Sequence, residues 1–303
     1  VFKLAHVTDP HFRGFAGVGL SDFTGKRVVG AINLLVNRTR KHKMALLEAL
    51  LHDVKAQGVD HLALTGDLAN ISIEAEWRTA LRWLEAYGAG PAAVTVIPGN
   101  HDAYVPEVAA SRVFEGLFAE YQTPDLETPG VGGAGDARAA YPFVRVRGGV
   151  ALIGVSSCVA TGDMGAWGEV GEAQLARLEA ALSRPELADK TRVVLIHHPP
   201  VLIKHGEDRN LKDRAALAMV LARTGADLVL HGHDHADERA TLEGPGGAKI
   251  PVVGAGSASY AGGPERRSRY NVYEIDGASI TCITRFHDEA SDSFKEAKRE
   301  RLA

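Results

Sequence analysis

Imidazole and carboxylate are concentrated at five places in the chain: Asp9-Pro10-His11, Gly66-Asp67, Gly99-Asn100-His101-Asp102, His197-His198-Pro199-Pro200 and Gly232-His233-Asp234-His235. Carboxylate oxygen and imidazole nitrogen are the donors that hard and borderline metal ions take. Each cluster follows an apolar run that reads as a strand: FKLAHV, HLALT, AAVTVI, TRVVLI and ADLVLH. Ligands in open α/β sheets collect beyond the carboxyl ends of the strands, so five loops would bring these donors to one rim. A single DxH or GD is commonplace, and a buried, hydrogen-bonded histidine is the ordinary reading of any one of them. Five in succession, each at a strand end, point instead to a metal site. Alternate residues just past a strand, such as His233 and His235, can both turn toward one ion.

The elements that must hold these loops follow from periodicity. Residues 44–57 repeat apolar positions at intervals of three and four and stop at Gly58, and 73–88 is a second amphipathic helix ending in glycine. Helices are also expected at 105–121, 171–182 and 214–225, with a hairpin about Gly148-Gly149 and a Gly/Pro-rich loop over 122–138. From ERATLEG to SITCITRF the chain is mostly strand-like, and the last fifteen residues, highly charged, read as a surface helix or frayed tail. Alternating strands and helices predict an α/β protein of layered sheets covered by helices. No linker divides the chain and no repeat is visible, so residues 1–303 are read as one domain.

Composition sets the outer limits. With 45% hydrophobic and 24% charged residues, the 303-residue chain is an ordinary globular one. Cys158 and Cys282 are the only cysteines, which excludes a disulfide scaffold and a four-thiolate zinc site. A net charge of −4 argues against a nucleic-acid polymer as partner. No apolar run is long enough to span a bilayer. FKLAHVTD has no basic and then apolar leader pattern, so a cytoplasmic location is expected.

The ordered set DxH, GD, GNHD, HHPP and GHxH resembles the calcineurin-like metallophosphoesterase superfamily, and looks most like its bacterial class III cyclic-nucleotide phosphodiesterases and glycerophosphodiesterases. The resemblance spans residues 9–235. It implies a four-layer α/β/β/α sandwich of two mixed sheets flanked by helices, with a two-metal site at the strand ends. Carried over residue by residue, it implies one metal on Asp9, His11 and His235, a second on Asn100, His197 and His233, and Asp67 bridging both. His198 is the alternative to His197, and His231 is an extra histidine read as structural or supporting. His101 would stabilise transition-state charge or protonate the leaving oxygen, and Asp102 would orient an imidazole. The implied ions are Mn, Fe or Zn, with Co a further option. Two such ions about 3.5–4 Å apart can share a hydroxide and clamp a phosphoryl group for in-line attack. Two divalent ions against Asp9, Asp67 and one hydroxide leave a net charge of roughly +1, which suits a singly charged phosphodiester.

One stretch stands apart. Strand one ends at His11, yet the next helix starts near Lys43, and typical βα loops run about 2–6 residues. Residues 23–47 hold Lys26, Arg27, Arg38, Arg40, Lys41 and Lys43 and no acidic residue, while Val28, Val29, Ile32, Leu35 and Val36 fall on one helical face. This basic insertion at about 15–43 reads as a lid, a lipid-surface contact at the inner membrane, a dimer contact, or a helix simply packed on the body. The function expected is therefore a dinuclear metal phosphodiesterase acting on a small diester. The alternatives are a phospholipid or nucleotide-lipid phosphohydrolase at the membrane surface, a phosphomonoesterase, and a non-catalytic metal-binding scaffold. Homodimerisation is compatible with the same stretch.

Overall fold

The computed structural model describes residues 1–14, 41–103, 105–128, 130, 137–161, 165–202, 208–263 and 266–303. The basic insertion lies outside these residues, save for Lys41, His42 and Lys43 at its end. Part of the Gly/Pro-rich loop at 122–138 lies outside them too.

Strands β1 (Phe2–Val7), β2 (His61–Thr65) and β3 (Val94–Ile97) run parallel, with helix α1 (Met44–Ala56) and helix α2 (Glu74–Tyr87) in the connections between them. A second parallel set follows. A hairpin of β4 (Phe143–Arg147) and β5 (Val150–Gly154) leads through α6 (Glu172–Leu182) to β6 (Thr191–Leu195), then through α7 (Arg214–Thr224) to β7 (Leu228–His231). Strands β8 (Glu238–Glu243) and β9 (Lys249–Gly254) complete that sheet in the order β4-β5-β6-β7-β9-β8. The chain then returns to the first sheet with β10 (Arg269–Asp276), β11 (Ser279–Asp288) and β12 (Ser293–Arg301), giving β12-β11-β10-β1-β2-β3.

Two six-stranded mixed sheets thus pack face to face with helices outside, an α/β/β/α sandwich. The strand sequences show why. Both faces of each central strand are covered, so apolar residues run without a break rather than alternating with polar ones. In β6, Val193 and Leu195 face the other sheet with Leu4, Ile97 and Tyr273, while Val194, and Ile196 just beyond the strand, face α6 and α7. In β1, Leu4 faces inward, while Ala5 and Val7 meet Leu47, Leu50, Trp77 and Trp83 of α1 and α2. Helix α2 stops where Gly88 adopts φ 79° and returns its N–H to the Leu84 carbonyl, a left-handed cap that glycine takes without steric cost.

Two expectations are corrected. The single helix at 105–121 is three short ones: α3 (Pro106–Ser111), α4 (Val113–Leu117) and α5 (Ala119–Gln122). Arg112 turns left-handed at φ 55°, and no residue of α3 is buried, so nothing holds it in line with the buried Phe114, Phe118 and Tyr121. The charged C-terminal stretch is neither helix nor tail but edge strand β12, paired antiparallel with β11. Only Phe294 is buried in it, and its Lys and Arg side chains leave the exposed edge unattractive to a further strand.

The two sheets are pinned at one edge by Arg239 of β8. Its guanidinium donates to Glu300 Oε1 of β12 at 2.7 Å, to Thr284 Oγ1 of β11 at 3.1 Å and to Asp237 Oδ1 at 2.7 Å. Arg239→Met keeps the apolar stem and removes the charge. Because these groups are about a quarter exposed, it should lower stability by about 1–3 kcal/mol, less than for a fully buried pair. A urea titration checks it, with a lower midpoint and an unchanged m-value expected.

Candidate metal centre

All five polar clusters lie just past the carboxyl ends of parallel strands β1, β2, β3, β6 and β7. The loops are laced to one another by backbone hydrogen bonds. Asp9 N–H donates to Gly66 O at 3.1 Å, His11 N–H to Asp67 O at 3.0 Å, and Gly232 N–H to His197 O at 3.0 Å. Five of the seven expected metal ligands sit in the left-handed region: Asp9 (φ 50°), His11 (47°), Asp67 (54°), His233 (76°) and His235 (54°). Each such residue costs of order 1–3 kcal/mol, and Asp and His are among the side chains that adopt it most readily. Close approach is built in as well. A β-carbon on Gly99 would stand 2.2 Å from Asp67 Oδ1, and one on Gly232 would stand 2.5 Å from Asp9 Oδ2.

The side chains converge in two groups joined by Asp67. Donor atoms of Asp9, His11, Asp67 and His235 all lie within 4.8 Å of one another. Within that group His11 Nε2 is 3.1 Å from His235 Nε2 and 3.8 Å from Asp67 Oδ2, and His235 Nε2 is 3.2 Å from Asp9 Oδ1. In the other group Asn100 Oδ1 is 3.1 Å from His197 Nε2 and 2.9 Å from His233 Nδ1, and His197 Nε2 is 3.4 Å from Asp67 Oδ1.

These residues fit cations. Metal bonds of about 2.1 Å at right angles leave neighbouring donors about 3 Å apart, the spacing found here. His11 Nδ1 donates to Ala69 O and His197 Nδ1 to Thr65 O, which turns each Nε2 lone pair toward the centre. Among the described residues His233 Nε2 is buried with no hydrogen-bond partner, and buried Asp9 Oδ1 has the His235 imidazole 3.2 Å away; a carboxylate oxygen that deep is costly unless positive charge meets it. The electrostatics of the donor set agree. Burial, reinforced by Asp9 and Asp102, pushes Asp67 up to about 7. Burial would also raise Asp9, but His235, His197 and the Thr8 hydroxyl outweigh it and hold this carboxyl below the usual range. Against the opposing effect of its burial, Asp67 and Asp9 raise His197.

The remaining residues read from sequence take other places. His101 lies beside the first group, its ring centroid 5.3 Å from that of His11 and its Nδ1 donating to Asn70 O at 2.6 Å. Among the described residues Asp102 meets no imidazole. Its carboxylate accepts from Leu68 N–H, Ala69 N–H, Gly99 N–H and the Trp77 indole N–H, so it fastens the Asp67 loop to the Asn100 loop. His198 packs its ring 4.5 Å from that of His233 but has both nitrogens engaged elsewhere, Nε2 donating to Ala166 O and Nδ1 accepting the Ser157 hydroxyl. His231 is enclosed in β7, where burial lowers it to about 4.

Four supporting residues were not read from the sequence. Asn70 donates to the His11 and Phe12 carbonyls, and buried Glu76 accepts from Asn70 and from Ile71 N–H. Ser257 donates to the Asp9 carbonyl at 2.7 Å. His42 stands 4.7 Å from the His11 ring. Asn70 had a signal, since it closes the GDLAN run begun by Asp67. Ser257, Glu76 and His42 had none, being an isolated serine, a helix carboxylate and a histidine between two lysines.

The purified chain should bind two divalent ions, and Asp67→Ala should lose both, as elemental analysis of metal-loaded samples would show. Below about pH 7 the Asp67 proton must be displaced, so apparent affinity should fall about tenfold per pH unit for each proton released. Calorimetric titration of Zn²⁺ or Mn²⁺ at pH 6, 7 and 8 tests this, and a pH-independent affinity would refute it.

Comparison with known proteins places this geometry. Residues 2–237 match the family model of calcineurin-like phosphoesterases. The chain is 26% identical over 264 residues to a cAMP/cGMP dual specificity phosphodiesterase of Mycobacterium tuberculosis, covering 86% of this chain and 68% of the relative. In fold it is similar to a dimetal phosphatase from Danio rerio, with a TM-score of 0.64 at 14% identity over 100% of this chain and 99% of the other. It is also similar to a purple acid phosphatase from yellow lupin seeds, with a TM-score of 0.58 at 12% identity over 97% of this chain and 52% of the other. The family match takes in well over half of the chain and every donor assembled above, so this protein belongs to the calcineurin-like phosphoesterases and is a metal-dependent hydrolase of phosphoric esters.

Proposed function

We propose that the chain hydrolyses a small phosphodiester, of the cyclic-nucleotide or glycerophosphodiester class. The observation that carries this reading is the charge of the centre. Among its expected ligands only Asp9 and Asp67 are anionic, the rest being imidazoles and one amide. With two divalent ions and a hydroxide the centre keeps roughly one positive charge, matched to a diester monoanion. The activity of the mycobacterial relative supports the same class. When bound, the ions would supply a hydroxide nucleophile shared between them and positive charge for the phosphoryl oxygens.

The chain's own residues do the rest. Asp9, His11 and His235 hold one side of the reacting phosphate's seat and Asn100, His197 and His233 the other. Asp67 fixes their separation. Asp102 and Glu76 keep the two loops in register, so the donors need no reorganisation when substrate arrives. His101 is partly exposed at the rim. With Nδ1 committed to Asn70 O, proton transfer to a leaving oxygen falls to Nε2.

Metal-loaded protein should show a higher kcat/KM for 3′,5′-cyclic AMP or glycerophosphodiesters than for the matching monoesters. A preference for monoesters of tenfold or more would overturn the reading. His101→Ala should keep both metals and lower kcat by about 10²–10⁴-fold, the range of a lost general acid. That loss should shrink for nitrophenyl esters, whose leaving group needs little protonation. An equal loss on both ester types would remove the acid role and leave charge stabilisation.

A further inference from the structure

We infer that Arg209 is a substrate-binding residue whose guanidinium holds a phosphoryl oxygen of the ester on the Asn100, His197 and His233 side of the centre. Resting on the reading of this centre as the seat of a phosphoric ester, the assignment adds a residue that the five strand-end motifs do not contain.

Arg209 lies between β6 and α7, where residues 208–212 run alongside 166–168. Ala166 N–H donates to Asp208 O at 2.9 Å, Gly168 N–H to Asn210 O at 3.2 Å and Lys212 N–H to Gly168 O at 2.8 Å. The 166–168 segment also rests on His198. Ala166 O accepts from its Nε2 at 3.1 Å, and a β-carbon on Gly168 would stand 2.4 Å from its Nδ1. The His198 ring is in turn 4.5 Å from that of His233. Contacts through one short segment and one imidazole thus tie the Arg209 backbone to a metal donor.

The charge of Arg209 reaches the same donor. Burial and then neighbouring imidazoles lower His198 and His233, and the guanidinium adds to the lowering of both. The side chain is half-buried, its Nε is enclosed without a hydrogen-bond partner, and among the described residues no carboxylate pairs with it. Arg239 and Arg285, also largely enclosed, are each matched by a carboxylate, Glu300 and Asp53. A half-buried guanidinium left unmatched beside a centre that itself gathers cations is unfavourable until an anion arrives. A phosphate group is the anion this centre suits, and a planar guanidinium can meet two of its oxygens at once, which an ammonium cannot. His101 lies beside the Asp9, His11 and His235 group and Arg209 beside the other, so the reacting phosphate is met from both ends of the centre.

The test is binding of inorganic phosphate to the metal-loaded protein, with turnover as a second reading. Wild type, Arg209→Ala, Arg209→Gln and Arg209→Lys are loaded with Mn²⁺, checked for metal content by elemental analysis and titrated with phosphate by calorimetry. All four should hold the same metal content. Arg209→Ala and Arg209→Gln should bind phosphate about 10–100-fold more weakly, Arg209→Lys should lose less, and kcat/KM for the preferred ester should fall over the same range. Added guanidinium ion should restore part of the activity of Arg209→Ala and none of that of His101→Ala. Circular dichroism verifies folding, and should Arg209→Ala be misfolded, the more conservative Arg209→Gln and Arg209→Lys decide. Phosphate affinities within twofold of wild type, or a loss of metal in place of a loss of phosphate affinity, would overturn the assignment. Monoesters and diesters share the phosphoryl oxygens, so this outcome is separate from the preference that decides the diester reading. A metal-loaded wild type that neither binds phosphate nor hydrolyses any phosphoric ester would instead reject the centre as a phosphate seat, and the assignment with it.

Discussion

Two carboxylates, Asp9 and Asp67, are buried with their oxygens within 4.8 Å of each other, and much of the structure serves to make that tolerable. Like charges so close in a dry interior are strongly unfavourable, and burial forces one of them to keep a proton unless cations are supplied. Imidazoles from both sheets surround the pair. Asp9 Oδ2 is met by the Thr8 hydroxyl and His233 N–H, and Asp67 Oδ1 by His101 N–H. The remaining oxygens face the histidines. A site that is electrostatically incomplete as a bare protein is one that stores affinity for metal.

Holding it open requires a rigid frame. The sandwich supplies this by ending parallel strands of two sheets at the same rim. Residues Leu4, Ile97, Leu195 and Leu230 between the sheets fix how far apart the two halves of the site stand. Beyond the strand ends, the strained left-handed turns at Asp9, His11, Asp67, His233 and His235 aim the donors inward. The buried core on both faces of the central strands sustains this strain. Asp102 adds the tie that matters most locally, since four N–H groups from three segments meet on its carboxylate.

Histidine shows how environment decides chemistry. His6 and His61 are as buried as the ligands, yet each hydrogen-bonds a threonine hydroxyl on a neighbouring strand, Thr65 and Thr95, and burial lowers both to about 3. They are neutral core groups. His197, equally buried, is raised because Asp67 and Asp9 face it. The difference lies not in residue type or exposure but in whether a carboxylate stands opposite.

Much of this was legible in the residue order. Apolar runs bounded by polar clusters revealed the strands, and periods of three and four revealed α1, α2, α6 and α7. The polar clusters pointed to a metal-binding rim because each follows a strand, and strand ends are where backbone geometry places side chains outside the sheet; the choice of seven donors among them came from the resemblance to calcineurin-like metallophosphoesterases. Residues without a local pattern were not legible. The charged edge strand β12 has no apolar alternation, since its hydrogen bonds to β11 rather than its side chains hold it. Arg112 breaks a helix that periodicity alone would continue. The tie made by Asp102 and the approach of His42 and Ser257 to the site come from contacts between segments 30 to more than 200 residues apart. Local sequence encodes dihedral preference and burial, which act on neighbours. Such long-range hydrogen bonds depend on how the two sheets pack and where each loop crosses the rim, and those are fixed only when the whole core closes.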